Sequence, residues 1–526
     1  MSQAVALAPP QAAEKANYKW LIAIAVSLGA LLEIIDTSIV NVALSDIQAS
    51  MSTTLQQVSW VVSGYGIANV IILPLSAWLG DRFGKKNYFI FSLVGFTVAS
   101  MLCGVATTFP MLVIARVLQG LTGGGLLAKA QAILFETFPK EEQATAQGLF
   151  GSIVIAGPAI GPTLGGYITT NIGWRWIFFV NLPFGIIAVI MALLFLPKDG
   201  TRPAQRSIDW TGILLLAVGI GSLQTVLEEG ETELWYESNF IIGFSILAGI
   251  GLVAFVIRML RSSAPVVDLR VLRYRSLWAG SILSTIIGMV LYGALFAIPI
   301  FAGSILNYTS QQVGMLLLPS ALASAFAMPI AAKLAAKFDP RILIIIGACT
   351  LLVAMRMFSV LSPQTGGDDL FWPNIVRGFG TVLMFMPLQL AALGAIAKKD
   401  ISAAAGFFNL TRQLGGSIGV ALLTTLLDKR EAFHRAVLAE KIVPNDPHTL
   451  ERVAAYTQAM LARGFPLEEA KQKAMALLDG IVNMQAAVLS FGDTFAATSA
   501  LLFLALPLVF LLGKPPKGAE AMAGGH

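Results

Sequence analysis

Apolar stretches of about twenty residues alternate with short polar connections along most of the 526 positions. A helix that crosses the roughly 30 Å hydrocarbon core of a bilayer needs about 20 apolar residues at 1.5 Å each. This spacing predicts fourteen spans, at 20–43, 58–80, 88–107, 110–132, 144–167, 176–196, 210–227, 240–260, 276–302, 311–332, 342–361, 370–396, 402–427 and 488–512. One connection is long, polar and charged, 428–487, and its pattern is helical. Asp428-Lys429-Arg430-Glu431 extends the thirteenth span, and Thr449 to Arg463 is rich in Ala, Leu and Met. Gly464 ends that run, and Pro466 followed by Glu468 and Glu469 suits a fresh helix start. The segment reads either as a solvated cap or as a docking surface.

Composition agrees with this pattern. The chain is 56% hydrophobic and 12% charged, where a soluble domain carries about 25% charge. A multidomain soluble enzyme is excluded, and a polytopic membrane protein with lipid as its solvent is expected. The net charge of +5 resides in inter-helix loops, so no nucleic-acid partner is expected. The first apolar segment is longer than the hydrophobic core of a secretory signal. Residues 1–19, rich in Ala, Gln and Pro, are expected to be mobile. Cys103 and Cys349 both fall in apolar stretches, and His434, His448 and His526 lie outside the spans. No phosphate-cradling loop is present. Neither a metal site, a cofactor nor an enzyme activity is expected.

Loop charge predicts the orientation. With the N-terminus inside, the segments on that side hold 21 Lys and Arg, among them Arg82, Lys85, Lys86, Arg202, Arg206, Lys514 and Lys517. The short loops on the other side hold only Arg175. The positive-inside rule then puts both termini in the cytoplasm.

Charges inside the spans are the candidate chemistry. Asp36 lies about two thirds of the way along the first span, with Glu33 one turn before it on the same helix face. A charge at membrane depth costs roughly 2.5–3.5 kcal/mol on insertion scales and is rarely kept without a use. A carboxyl that can take and release a proton is the core of a proton-driven pump. The alternative for Asp36 is a structural carboxylate paired with a basic group. Arg116 is such a group, and could couple carboxylate protonation to helix movement or simply pack and hydrogen-bond. Lys129 is expected to snorkel to the cytoplasmic end. Arg377 and Arg412 either meet anionic substrate groups or face inner-end carbonyls. With Asn41, Gln119, Met384, Phe385 and Phe407 they form the candidate substrate cavity, soft methionine and aromatic side chains making an adaptable wall.

Four strings complete the reading. Gly80-Asp81-Arg82-Phe83-Gly84-Lys85-Lys86 follows the second span. Arg116-Val117-Leu118-Gln119-Gly120, with Gly123, Gly124 and Gly125, occupies the fourth. Gly151 and then Gly157-Pro158-Ala159-Ile160-Gly161-Pro162-Thr163-Leu164-Gly165-Gly166 occupies the fifth, where small residues permit close helix contact and prolines bend the helix. Asp36-Thr37-Ser38-Ile39-Val40-Asn41-Val42-Ala43-Leu44 ends the first. Together they resemble the major facilitator superfamily, and within it the fourteen-helix drug:proton antiporters. Two departures are Ala77 for the usual first glycine of the loop motif and Ser45 for the proline that usually follows the first-span string. Further strings, Gly219-Ile220-Gly221-Ser222-Leu223-Gln224, Pro265-Val266-Val267-Asp268-Leu269, Trp372-Pro373, Met386-Pro387-Leu388 and Asn409-Leu410-Thr411-Arg412, resemble the EmrB-like subgroup.

The resemblance implies an all-α membrane fold of two six-helix bundles, 20–196 and 276–512, with two inserted helices within 197–275 and a cytoplasmic tail, 513–526. It implies a proton-motive-force-driven antiporter that exports small hydrophobic drugs or toxic compounds from a bacterial inner membrane by alternating access. It also implies a periplasmic adaptor of the EmrA type and an outer-membrane channel like TolC, with 428–487 on the periplasmic side. An exporter of a native lipid or siderophore stands beside that reading, and so does a scaffold or receptor that has lost transport.

Overall fold

A computed structural model describes residues 11–198, 208–262, 265–443 and 446–512. The first ten residues, most of the linker around Arg202 and Arg206, and the tail with Lys514 and Lys517 lie outside the described residues.

The described chain is helical nearly throughout. In order the helices are α1 Gln11–Val42, α2 Leu44–Met51, α3 Leu55–Phe83, α4 Lys85–Gly104, α5 Phe109–Gly123, α6 Leu126–Thr137, α7 Lys140–Asn171, α8 Trp176–Phe179 and α9 Asn181–Phe195. They continue as α10 Trp210–Glu229, α11 Asn239–Arg261, α12 Arg275–Ser304, α13 Ser310–Lys337, α14 Pro340–Phe358, α15 Gly367–Leu393, α16 Ile401–Glu440, α17 Pro447–Ala462 and α18 Leu467–Ala505. Local chemistry sets the ends. Thr54 and Thr309 form reciprocal caps with Gln57 and Gln312, and Thr108, Asp209 and Asp446 cap α5, α10 and α17.

Twelve helical stretches among the described residues are long and apolar enough to cross a membrane. The other two expected spans, 144–167 and 402–427, fall on α7 and α16, which are richer in Gly, Ser, Thr, Asn and Arg. Both are interior packing helices: α7 lies along α1 and α13, and α16 along α12, α18 and α3. The fourth expected span is two helices, α5 and α6, broken at Gly124 and Gly125. The expected mobile start is helical from Gln11, as part of α1.

One half consists of α1 to α9 and the other of α12 to α18. Between them α10 and α11 form an antiparallel pair, crossing where Gly219 and Gly251 bring the two backbones into contact. α10 also packs on α3 and α16, so the inserted pair sits on the seam between the halves. The outer helix faces are apolar and bare, as at Phe91, Ile114, Leu194, Ile250 and Leu504. Such a continuous apolar surface has its partner in hydrocarbon.

Side chains gather the basic connections on one face. Lys85 pairs with Glu136 at 2.6 Å, and Lys86 donates to the carbonyls of Leu193 and Leu196, both at 2.7 Å. Arg273 pairs with Asp400 at 3.2 Å, and Arg275 and Arg341 donate to the carbonyls of Leu511 and Leu512, beyond α18. On the opposite face α16 runs 40 residues and α18 runs 39, so both project past any bilayer-length segment. α17 packs against α18 as expected for 428–487, and Gly464 makes the turn at φ +90°.

Candidate functional site

The glycines of α7 determine how close α1 can come. A Cβ on Gly157 would lie 2.5 Å from Ile34, one on Gly165 2.7 Å from Ile39, and one on Gly161 would collide with Ser38. Spaced four apart, they form one stripe against the face of α1 next to Glu33 and Asp36. Gly166 is buried too, while Pro158 and Pro162 lie inside the same helix. Gly151 faces the other half instead, where an added Cβ would lie 2.6 Å from Met328 of α13. Gly120 and Gly124 do the same for α5 against α3, where a Cβ would meet the backbone of Tyr65 at 2.5 Å and of Asn69 at 2.7 Å.

That close packing seals Asp36 and Arg116 into the first half, Asp36 0% and Arg116 1% exposed. Arg116 Nη1 donates to Asp36 Oδ2 at 2.6 Å and to Gln119 Oε1 at 2.7 Å, and its Nε donates to the Val61 carbonyl at 2.8 Å. Gln119 Nε2 and Asn181 Nδ2 each donate to Asp36 Oδ1 at 2.8 Å. The guanidinium lies 4.3 Å from the Tyr65 ring centre. Every element of the cluster has a partner, so the alternative of a paired carboxylate describes this conformation. Asp36 and Gln119 do not line a cavity.

Glu33 has a different setting. It is 5% exposed; Asn69 Nδ2 donates to its Oε1 at 2.8 Å and the Leu127 backbone N–H to its Oε2 at 2.9 Å. Leu127 stands in the first turn of α6, just past the Gly124–Gly125 break, so the carboxylate takes up an N–H that the break left without an intrahelical carbonyl. Glu33 makes no ion pair among the described residues.

The cavity lies between the halves and is partly open to solvent. Arg377, Arg412 and Phe385 line it, together with Ile34, Leu127 and Pro158 from the first half. Met384 reaches only a smaller adjoining space beside Arg377. Asn41 is exposed near the end of α1, and Phe407 sits half-buried on α16 away from the lining, so neither belongs to it. Tyr292, Ser320, Ser324 and Thr381 supply polar lining that was not anticipated, because single hydroxyls in apolar helices carry no directional pattern.

On the basic-face side the halves are joined below the cavity. Asn409 donates to Gln131 at 2.5 Å and Gln389 to Gln147 at 2.5 Å, each bond linking one half to the other. The loop motif lies nearby. Gly84 makes its turn at φ +93°, Arg82 stacks on Trp78 at 5.6 Å, Asp81 is exposed, and a Cβ on Gly80 would strike Lys129. Lys129 does not snorkel. It is 2% exposed and lies 5.6 Å from the Tyr88 ring centre, in the field of Asp81.

A second cluster lies at the end of α10 and in the turn after it. Gln224 donates to Glu228 at 2.6 Å and to Ser417 of α16 at 2.7 Å, and Glu228 rests on Gly66 of α3. Ser59 of α3 donates to Glu229, while Thr425 of α16 donates to Glu231 at 2.6 Å. The inserted helix thus ties α3 to α16 through carboxylates.

Residues 26–420 match the family model of the Major Facilitator Superfamily. This chain belongs to the major facilitator superfamily. Its sequence is 32% identical over 507 residues to the multidrug export protein EmrB of Escherichia coli strain K12, covering 96% of this chain and 97% of that protein. It is 30% identical over 505 residues to the fatty acid resistance protein FarB of Neisseria gonorrhoeae, with 96% and 97% covered. The fold resembles that of the human organic anion transporter TETRAN, with a TM-score of 0.59 and 12% identity, over 94% of this chain and all of that one. Superfamily membership makes this chain a multi-pass membrane transporter of small molecules, and the two halves flanking one cavity are its major facilitator fold.

Proposed function

We propose that this chain is a proton-driven antiporter that exports hydrophobic drugs and toxic compounds by alternating access. The observation that carries the reading is the pair of buried carboxylates, Glu33 and Asp36, one turn apart on the helix that borders the cavity. The names of the EmrB relatives supply the cargo class. Hydrogen bonds between the side-chain amides of Gln131 and Asn409 and of Gln147 and Gln389 join the halves on the basic-face side, which supports a conformation turned toward the opposite face. The loop charges support a cytoplasmic basic face, and the EmrB relatives support a bacterial inner membrane.

In this mechanism a proton on Asp36 cancels one charge of the Asp36–Arg116 pair and frees the guanidinium, so that α1 and α5 can change their mutual position. Glu33 does the corresponding work at the α6 break, where losing its charge weakens its hold on Leu127. The Gly157, Gly161 and Gly165 stripe is the contact over which α1 and α7 stay together while the halves rock. The energy scale suffices, since one charge crossing 100 mV is worth roughly 2.3 kcal/mol. The projecting α16, α17 and α18 would meet a periplasmic adaptor of the EmrA type, which in turn meets an outer-membrane channel like TolC.

The test is transport in proteoliposomes holding a pH-sensitive dye. Substrate-driven proton movement is expected, with Glu33→Gln reducing it and Asp36→Asn abolishing it. Substrate flux with no proton movement in the native protein overturns the coupling. A substrate screen in cells lacking their own pumps separates drug export from export of a native metabolite.

A further inference from the structure

We propose that the cavity is a receptor for organic monoanions, molecules with an apolar body and one carboxylate or comparable acid group, and that Arg377 and Arg412 bind that group. The inference deepens the transporter reading and rests on it for access to the cavity.

Among the described residues three arginines are buried, and the chain treats them differently. Arg116 spends its donors on Asp36, Gln119 and Val61. Arg377 and Arg412 are equally deep, each 4% exposed, and both line the cavity. Neither forms an ion pair among the described residues. Each donates one Nη2 bond of 3.2 Å to the asparagine three residues earlier, Arg377 to Asn374 and Arg412 to Asn409. The Nε atom of each is buried without a hydrogen-bond partner. The Asn-x-x-Arg pattern on α15 is thus repeated on α16, and each asparagine holds its arginine by one terminal nitrogen, while Nε has no partner within the protein.

A guanidinium offers five donors in a planar fork matched to a carboxylate, and stays charged in proteins. Burying such a charge unpaired costs several kcal/mol, and this cavity is lined by two such groups. A chain that compensates Arg116 fully and leaves these two facing open space keeps them for an anion from outside. The carboxylate whose field reaches Arg412 is Glu33, and both its oxygens are engaged by Asn69 and Leu127. Around the fork, Arg412 stacks 5.4 Å from the Phe385 ring centre, and Leu291, Leu295, Leu317 and Val154 complete an apolar wall. That wall would hold the body of a drug-sized ligand while the fork holds its head. A quaternary cation of the same size would face two positive charges.

The experiment compares binding of 4-phenylbutyrate, its neutral amide and 4-phenylbutyltrimethylammonium to the purified full chain in lipid nanodiscs. Saturable binding of the carboxylate is expected, at least tenfold tighter than the amide and the cation. Arg377→Gln and Arg412→Gln should each lose about tenfold or more of that affinity, one charge-assisted contact being worth about that factor. Arg412→Lys should recover part of it. With no ligand, both Gln variants should melt at or above the native temperature, since each removes an unsatisfied buried charge, whereas a purely structural arginine would lower it. Cation binding as tight as carboxylate binding, an unaltered affinity in both Gln variants, or a lowered ligand-free melting temperature in both overturns the proposal. Carboxylate binding without pH-driven movement in vesicles supports the site and overturns the exporter reading instead.

Discussion

The Asp36 carboxylate and the Arg116 guanidinium meet at 2.6 Å between α1 and α5, and together they form a closed ion pair inside one half of the protein. Nothing of either faces the cavity. Any influence of Asp36 on transport therefore passes through Arg116, Gln119 and Asn181 and the helices that carry them.

The first prediction concerns this pair. Asp36→Asn strands a buried guanidinium, and losing one partner of a buried pair costs about 3–5 kcal/mol. Arg116→Gln strands the carboxylate at a similar cost. The double variant should be less destabilised than the sum of the singles, because nothing charged is left behind. Thermal unfolding of all four proteins in one detergent checks it. Additive losses would mean that the pair carries no coupling.

The α7 stripe gives a second. Gly157→Leu drives a side chain into Ile34, and Gly161→Val drives one into Ser38. Membrane insertion should be normal, since it depends on hydropathy, while transport falls at least tenfold or becomes leaky. Gly243→Ala, a position with nothing within 4 Å, is the control and should transport like the native chain.

A pH effect is expected at the outer end of the seam. Burial pushes the Asp428 carboxyl up to about 6, helped by its hydrogen bond to Glu231 and by the charges of Glu231 and Glu431. Burial also acts to raise Glu231, but hydrogen bonds led by Thr425 and Trp235 leave it below its ordinary value. Asp428 is thus the member that holds the proton and donates. A raised value means that its stabilising contribution is complete below about pH 4 and is lost as pH rises through about 6. Amide exchange at Glu231 to Glu237 should accelerate over that window in the native chain and stay level in Asp428→Asn, which keeps a donor at every pH. A native profile flat from pH 4 to 7 would remove the shared proton.

The last prediction concerns the projecting hairpin. α17 has no buried residue, and Arg435 of α16 already reaches Asp479 of α18 at 3.3 Å. Deleting Thr449 to Leu478 leaves a short connection between helices that remain paired nearer the membrane. Proton-coupled transport in vesicles should survive, while drug resistance of intact cells and co-purification of an adaptor are lost. Equal resistance and equal adaptor recovery would leave the segment as a cap.

Much of this protein was legible in the order of its residues. Helix period and bilayer thickness act locally, so each expected span met a helix, α16 continues through Asp428 to Glu440, α17 ends just before Gly464 and α18 begins just after Pro466, as turn chemistry demands. The four motif strings led to the family for the same reason, each being a short local solution to a turn or a close contact. Partnership was not legible. Whether Asp36 is paired was left open by the sequence, because Arg116 and Gln119 approach it from α5 and Asn181 from α9, far along the chain. Gln119 read as cavity lining and proved to be a ligand of Asp36, since the face a helix turns inward depends on its neighbours. Arg116, Arg377 and Arg412 are alike in a sequence, each an arginine in an apolar helix with polar neighbours. Only the tertiary structure decides that the first has its counter-charge within the chain and that the other two face an empty space, because electrostatic compensation is a property of distances between helices and not of order along them.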